Sequence, residues 1–119
     1  DVTAEAEVTA KGINDAVKGS VSAAAITATA YDILLNNATA TKGDISAAGQ
    51  VQINNASAAG NINAGAYMYL GNATAQNING SADVVIDNAK VAEMLKAEGN
   101  MALNGAMITK NGKSLPKTS

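Results

Sequence analysis

The side chains that could perform acid–base chemistry in this 119-residue chain are carboxylates and lysines, because the sequence contains no His, Cys or Arg. Paired carboxylates beside a cation are what a polysaccharide hydrolase or lyase requires. The carboxylates are instead scattered along the chain, and they include Asp32, Asp44, Asp83, Asp87, Glu93 and Glu98. No pair of them recurs at a fixed spacing. We therefore interpret them as solvated surface charges and expect no catalytic residues and no enzyme activity.

The composition also limits cofactors and partners. Without Cys and His the chain lacks the usual ligands of zinc, haem and iron–sulfur clusters, and we expect no metal and no cofactor. A formal net charge of −2 argues against a nucleic-acid partner, which would need a basic surface. The apolar runs, of which residues 33–35 are an example, are too short to span a membrane, so we expect no membrane insertion.

An internal repeat organises the sequence. The dipeptide Asn-Ala recurs with its Ala at positions 38, 56, 73 and 89, and Asp15-Ala16 and Gly105-Ala106 take the same place at the two ends. These Ala positions are almost evenly spaced from 38 onward. Only the first interval, from position 16 to position 38, is clearly longer, and we place its insertion near residues 23–31.

The pattern within each unit predicts short strands. An apolar-x-apolar pair precedes the dipeptide, an apolar residue opens a second strand after it, and Gly and Asn separate the strands. A repeat of 16–18 residues, the spacing of these Ala positions from 38 onward, fits one coil of a parallel β-helix, with neighbouring coils about 4.7–4.9 Å apart. We therefore predict an all-β solenoid of about six coils over residues 1–112, followed by a tail at 113–119. The abundance of Ala suits its thin interior.

Asparagine occupies one repeat position at Asn37, Asn55, Asn72 and Asn88. Asn is a common corner residue, because its side chain tolerates turn conformations. Stacking of identical coils would also place these amides one above another, where they can hydrogen-bond along the solenoid axis. We predict a structural Asn ladder.

Residues 87–99 permit two interpretations. Asp87 or Asn88 could cap the start of a helix that ends at Gly99. Residues 88–103 also align without a gap to residues 55–70, which predicts another coil. We favour the coil, because tertiary context often overrides local helix propensity.

Two further segments are candidates for contacts. Residues 1–11 alternate, and this predicts that Val2, Ala4, Ala6, Val8 and Ala10 share one face. The segment is either a first coil or cap, or a strand that pairs with the open edge of a neighbouring subunit. Tyr67 and Tyr69 flank Met68 on the outward side of a strand, where they could contact a glycan or a protein.

The amino-acid sequences of the repeats resemble those of two protein families. Residues 32–49, 51–64 and 69–75 resemble repeats of filamentous-haemagglutinin-type exoproteins of bacteria, with an Asn-Ala-Thr-Ala-like corner after an apolar-x-apolar strand. That resemblance is best over residues 32–80 and implies a right-handed β-helix, export from the cell and a structural or adhesive role. Gly-Ser-Val-Ser-Ala at 19–23 and Gly-Asp-Ile-Ser-Ala at 43–47 resemble bactofilins, which are cytoplasmic solenoids that polymerise end to end.

These observations predict an extracellular or cell-surface structural protein. We expect its leader to have been removed and the subunit to associate with itself head to tail into a fibre that serves surface attachment or a biofilm-type matrix. A cell-surface glycan or protein is a second expected partner. The alternatives are a cytoplasmic bactofilin-like scaffold, an excised segment of a large secreted adhesin and a carbohydrate-active β-helix enzyme.

Overall fold

The computed structural model describes the backbone of residues 2–14 and 19–108 and the side chains of residues 3–13 and 19–105. Every regular element in these ranges is a β-strand. The strands are β1 (Val2–Thr3), β2 (Val8–Ala10), β3 (Ile13–Asn14), β4 (Ser20–Ala23), β5 (Ile26–Ala28), β6 (Ile33–Ala40), β7 (Ile45–Ala47), β8 (Val51–Ala58), β9 (Asn61–Ala64), β10 (Met68–Gly80), β11 (Val84–Ala97), β12 (Met101–Leu103) and β13 (Ala106–Ile108).

All strand pairs are parallel, and each strand pairs with the equivalent strand of the next coil. One column of stacked residues contains Val8, Ile26, Ile45, Ile62, Ile78 and Leu95. Because five turns of the coil join the members of this column, the chain is a β-solenoid. This confirms the predicted parallel β-helix.

Each coil has three faces. In the coil that begins at Ile33, residues 33–35 form face 1, residues 37–40 form face 2, and residues 45–47 form face 3. Strand β6 bends from face 1 to face 2, whereas β10 and β11 continue around all three faces. The corners between the faces are where many of the outward-pointing polar residues discussed below are found.

The interior is filled unequally by the three faces. Face 1 contributes large buried side chains such as Ile33 and Leu35, and face 3 contributes Ile45 and its equivalents. Full burial of each such side chain stabilises the fold by about 1.5–3 kcal/mol. Face 2 contributes almost only Ala, at positions 38, 40, 56, 58, 73, 75 and 89. Small side chains on one wall leave room for the larger ones opposite, which explains the alanine content.

Residues 87–99 belong to a coil. Strand β11 covers most of this segment and pairs with β10, with Ala89 on Ala73 and Leu95 on Ile78. The helix alternative is therefore wrong. In the strand, Ala89, Val91 and Leu95 point inward and continue the buried columns of β10. A register shift after Ala75 accommodates one extra residue in β11, as in a β-bulge.

The long first repeat has a different origin from the predicted one. Ile13 pairs with Ile33, whereas Ser20 pairs with Asn37. The number of residues that separate a residue from its partner in the next coil is therefore larger for Ile13 than for Ser20. The additional residues therefore lie between Asn14 and Ser20, and the insertion predicted near residues 23–31 is wrong. Val21 pairs with Ala38, the position that the repeat assigned to Ala16, a residue outside the described ranges.

The N-terminal segment is the first coil of the solenoid and not a single strand. Strand β1 pairs with β4 and β2 pairs with β5, with a bend at residues 5–6 between them. Val8 and Ala10 pair with the buried Ile26 and Ala28, so these two residues share one face. Ala4 and Val8 are partly buried, whereas Ala6 and Ala10 are exposed. Ala6 lies at the bend, and Ala10 is exposed because no described coil covers it. The side chain of Val2 and the predicted 113–119 tail lie outside the described residues.

Candidate functional site

Four Asn residues form a hydrogen-bonded ladder at the start of face 2, next to its corner with face 1. Asn55 Nδ2 donates to Asn37 Oδ1 at 3.0 Å, Asn72 Nδ2 to Asn55 Oδ1 at 3.0 Å and Asn88 Nδ2 to Asn72 Oδ1 at 3.3 Å. Asn37 Nδ2 donates to Ser20 Oγ at 3.0 Å, which extends the ladder to the preceding coil. The ladder uses one of the two N–H groups of each amide, so the second can donate to water or to a ligand.

Face 3 contains two further ladders that were not predicted from the sequence. Asn79 Nδ2 donates to Asn63 Oδ1 at 2.8 Å, and Asn63 Nδ2 donates to Ser46 Oγ at 2.9 Å. Asn77 Nδ2 donates to Asn61 Oδ1 at 3.0 Å. The available signal was the recurrence of Asn immediately before and after the Ile that opens the second strand of successive repeats.

The bulge in β11 interrupts one of these ladders. It pairs Asn77 with Met94, whose side chain has no N–H group to donate. The Oδ1 atom of Asn77 is consequently buried without a hydrogen-bond partner among the described residues. A buried acceptor without a partner is unfavourable, so the extra residue in this coil ends the ladder at Asn77 and leaves one hydrogen bond unmade.

A groove of about 450 Å³ runs along face 2 beside the Asn ladder. Its floor is the Ala column, and its second wall is the column of Thr39, Ser57, Thr74 and Lys90. Lys90 is the one charged residue among those that line it. The groove therefore offers mainly amide and hydroxyl groups, repeated about every 4.8 Å along the axis, a pattern suited to an extended, hydroxyl-rich ligand.

The two candidate contact tyrosines differ in their environment. Tyr67 and Tyr69 are both partly exposed beside the fully buried Met68. The Tyr69 side chain is held, because its hydroxyl donates a hydrogen bond to Asp87 Oδ2 at 3.1 Å. The hydrogen bond at Tyr67 involves its backbone, whose carbonyl accepts from the Val51 N–H. The hydrogen bond to Asp87 raises the pKa of Tyr69, and partial burial and the negative charge of Asp87 add to this effect.

Three carboxylates cap backbone groups of the next coil. Asp44 Oδ1 accepts a hydrogen bond from the Asn61 N–H at 2.7 Å, where the chain enters β9. Asp32 and Asp83 do the same for the N–H groups of Gln50 and Asn100, at 2.7 and 2.9 Å. The interpretation of these three as merely solvated charges is therefore wrong. Each carboxylate satisfies an N–H group at a corner, where the chain leaves the regular strand pairing.

Glycine is required beside each capping carboxylate. A Cβ atom placed on Gly60 would lie 2.1 Å from Asp44 Oδ1, and one on Gly49 or Gly99 would lie 2.2 or 2.4 Å from the equivalent oxygen. The combination of an Asp with a Gly about one repeat later was the sequence signal for these caps. The two residues are distant in sequence and adjacent only in the stacked coils, so the sequence pattern alone does not show the cap.

The N-terminal end of the described solenoid presents an open strand edge. The Val8 N–H donates to Ala25 O at 2.9 Å, and Ala10 O accepts from the Thr29 N–H at 2.8 Å. Because successive residues of a parallel strand direct their backbone groups to opposite sides, the N–H and C=O of Thr9 point away from β5. Within the described residues β5 is the one strand that pairs with β2.

Apolar side chains accompany the strand edges at both ends. Val8 and Ile13 are the first described members of their columns and are only partly buried, whereas their partners one turn later, Ile26 and Ile33, are fully buried. At the other end Leu103 is partly buried, and its equivalent Ile86 is fully buried. One more coil at either end would therefore remove apolar surface from water.

No group of three or more metal-binding side chains occurs among the described residues. No helix in the same part of the chain could cross a membrane. The carboxylate contacts described above serve backbone N–H groups or the Tyr69 hydroxyl. The features with recognisable chemistry are thus the ladders with their groove and the two strand edges.

Removal of one ladder amide should produce a small, specific loss of stability. We expect Asn72→Ala to lower the free energy of unfolding by about 0.5–1.5 kcal/mol, because two solvent-accessible hydrogen bonds are lost. Urea unfolding followed by circular dichroism measures the change. The exposed Gln76, which lies outside the ladder, provides the control Gln76→Ala, and equal effects of both variants would contradict a stabilising ladder.

Loss of a carboxylate cap should cost more than loss of a ladder amide. Asp44→Ala removes a charged acceptor and leaves the partly buried Asn61 N–H without it. We expect the free energy of unfolding to fall by about 1.5–3 kcal/mol, and Asp44→Asn, which retains an oxygen acceptor, to lower it less. A fully stable Asp44→Ala protein in urea unfolding would show that the cap does not support the corner.

The Tyr69–Asp87 contact should be measurable in an alkaline titration. A variant with Tyr31→Phe and Tyr67→Phe leaves Tyr69 as the one titrating phenol, and its ionisation can be followed by ultraviolet absorbance. Because the pKa is raised above the ordinary value of 10.0 in the folded state, this contact stabilises the protein below pH 10, and the contribution disappears as the pH rises through the folded-state pKa. Asp87→Asn should lower the pKa of Tyr69, and an unchanged pKa would assign the shift to burial alone.

Comparison with protein-family models, curated proteins and solved structures gave no match to the chain. Its function must therefore be inferred from the ladders, the groove and the strand edges.

Proposed function

We propose that this chain is a structural β-solenoid subunit that associates end to end into a fibre, outside the cell or on its surface. The observation that supports this proposal is the pair of open strand edges with partly exposed apolar side chains at the two ends of the described coil. Unpaired edges of this kind add further strands unless something covers them. A second copy of the same solenoid is the partner that matches both the strand direction and the buried columns.

Head-to-tail stacking follows from the direction of the strands. All coils run in the same sense, so a second copy in the same orientation continues the parallel pairing. A copy turned upside down would present antiparallel strands to this edge. It would also stack faces of different side-chain size on each other, because face 2 is almost all Ala and faces 1 and 3 carry larger residues. Head-to-tail contact is thus the arrangement that extends both the hydrogen bonds and the core.

The adhesive part of the proposal has separate support. The face 2 groove and the partly exposed Tyr67 and Tyr69 are available surfaces for a cell-surface glycan or a protein. The resemblance to filamentous-haemagglutinin-type repeats suggests export, surface attachment and a biofilm-type matrix. A fibre would display many copies of the groove, which strengthens weak contacts through multivalency.

The remaining alternatives use the same edges differently. In a cytoplasmic bactofilin-like scaffold the partner is again a second copy, and the difference is the compartment. In a segment of a large secreted adhesin the edges pair with further coils of the same polypeptide. A carbohydrate-active enzyme needs clustered acid and base groups, and the carboxylate contacts described above give that alternative no support. Detection of a cleaved leader on the precursor would favour the exported form.

The strand-edge contact can be tested with a proline at Thr9. The Thr9 N–H points away from β5, so Thr9→Pro removes a donor from the open edge and leaves the described β2–β5 hydrogen bonds in place. We expect the unmodified chain to form concentration-dependent filaments in sedimentation velocity and electron microscopy. Thr9→Pro should reduce assembly at least tenfold, because one edge no longer pairs.

Thr9→Ala is the matched control, since it retains the backbone N–H and removes the same exposed side chain. It should assemble like the unmodified protein, and circular dichroism should show that all three proteins have equal strand content. A chain that stays monomeric at every concentration would contradict the fibre proposal. Equal assembly of Thr9→Pro and Thr9→Ala would show that the β2 edge is not the contact.

A further inference from the structure

The corner between β12 and β13 differs from the corners stacked beneath it. Its two residues, Asn104 and Gly105, are exposed, and Gly105 has φ +65°. Gly105 occupies the ladder position above Asn88 but has no side chain to continue the ladder. The Asn104 N–H donates to Ile86 O at 2.9 Å, whereas the described residues show no hydrogen bond donated by the Gly105 N–H.

This arrangement exposes the groups that react in asparagine deamidation, in which the side-chain amide is lost through a cyclic imide. The backbone nitrogen of Gly105 can attack Cγ of the Asn104 side chain, because glycine has no Cβ to obstruct the approach. A bond forms between this nitrogen and Cγ, the bond from Cγ to Nδ2 breaks, and Nδ2 leaves as ammonia with the proton of the Gly105 N–H. Water then opens the five-membered imide to give aspartate or isoaspartate at position 104.

The same dipeptide occurs within the solenoid in a very different environment. Asn79 and Gly80 lie in β10, which is paired on both sides, with β9 and with β11. The Asn79 amide is held by its hydrogen bond to Asn63 at 2.8 Å, and Gly80 is buried. The strand pairing and the bound amide oppose the rearrangement that would bring Cγ of Asn79 onto the Gly80 nitrogen. Sequence alone would rank the two dipeptides equally, and their environments separate them.

We propose that Asn104–Gly105 is a self-modification site whose reaction disables the C-terminal strand edge. Isoaspartate adds one carbon to the backbone between β12 and β13. Both strands are held in register with β11, at Met101 on Val84 and at Ala106 on Ala89, and only Asn104 and Gly105 lie between them. The longer backbone must either bulge at the corner or shift one of the two registers, and either change alters the strand edge that a further coil would meet. The consequence for fibre growth rests on the proposed function, whereas the reaction itself does not.

Peptide mapping of the folded, full chain tests the reaction. Protein incubated at neutral pH and physiological temperature is digested and analysed by mass spectrometry for the conversion of amide to acid, and isoaspartate is detected with an isoaspartyl methyltransferase. We expect conversion at Asn104 at least tenfold faster than at Asn79. Equal rates at the two sites in the folded chain would overturn the inference. Asn111 precedes Gly112 outside the described residues, and its peptide is quantified separately.

The effect on assembly is tested with aged protein and with the variant Asn104→Ser, which has no amide carbonyl to be attacked. Aged unmodified protein should nucleate and extend fibres more slowly than fresh protein, whereas aged Asn104→Ser should behave like its own fresh sample. Asn104→Asp separates the effect of charge from that of the additional backbone carbon and should assemble better than the isoaspartate form.

Two outcomes distinguish this inference from the proposed function. Conversion at Asn104 without any change in the assembly of a chain that does form fibres would overturn the proposed control of the edge. A chain that forms no fibres would contradict the proposed function and leave the peptide-mapping result intact.

Discussion

The structure depends on one constraint, the parallel pairing of each coil with the next in a fixed register. Every strand obtains its backbone partners from coils about one repeat away in sequence, so no coil is complete by itself. The same pairing places identical positions of the repeat above one another. It therefore generates the buried Ile columns, the Asn ladders and the carboxylate caps as consequences of a single geometric rule.

That rule explains why the composition is so narrow. The inward positions of face 2 are almost all Ala, whereas face 1 supplies Ile, Leu, Val and Met. Outward amides bond to the amides stacked on them. At a corner, where the chain leaves regular pairing, the Asp44 carboxylate accepts a hydrogen bond from an N–H of the following coil. Glycine appears beside these carboxylates because a Cβ would occupy the space of the oxygen.

The rule also connects the fold with the proposed function. Each coil pairs with the next in the same way, so the pairing pattern does not by itself define an end of the solenoid. The ends of the described solenoid retain strand edges and partly exposed apolar residues such as Val8 and Leu103. An end-to-end fibre uses for assembly the interaction that already stabilises the subunit. The exposed corner at Asn104 and Gly105 lies beside one of these edges, and this position is the basis for the proposed effect of its modification on assembly.

The sequence by itself determined the solenoid class, the repeat length and the column of Asn37, Asn55, Asn72 and Asn88, because a parallel coil repeats its side-chain pattern along the chain. It left open whether residues 87–99 form a helix, and it misplaced the insertion in the first repeat, because local propensity and spacing do not contain the pairing register. Only the tertiary structure revealed that Asp44 caps the Asn61 N–H, that Ala10 is uncovered and that Asn104 and Asn79 differ in exposure. Each of these facts depends on which coil lies above or below a residue, and that contact is set by stacking between positions far apart in sequence.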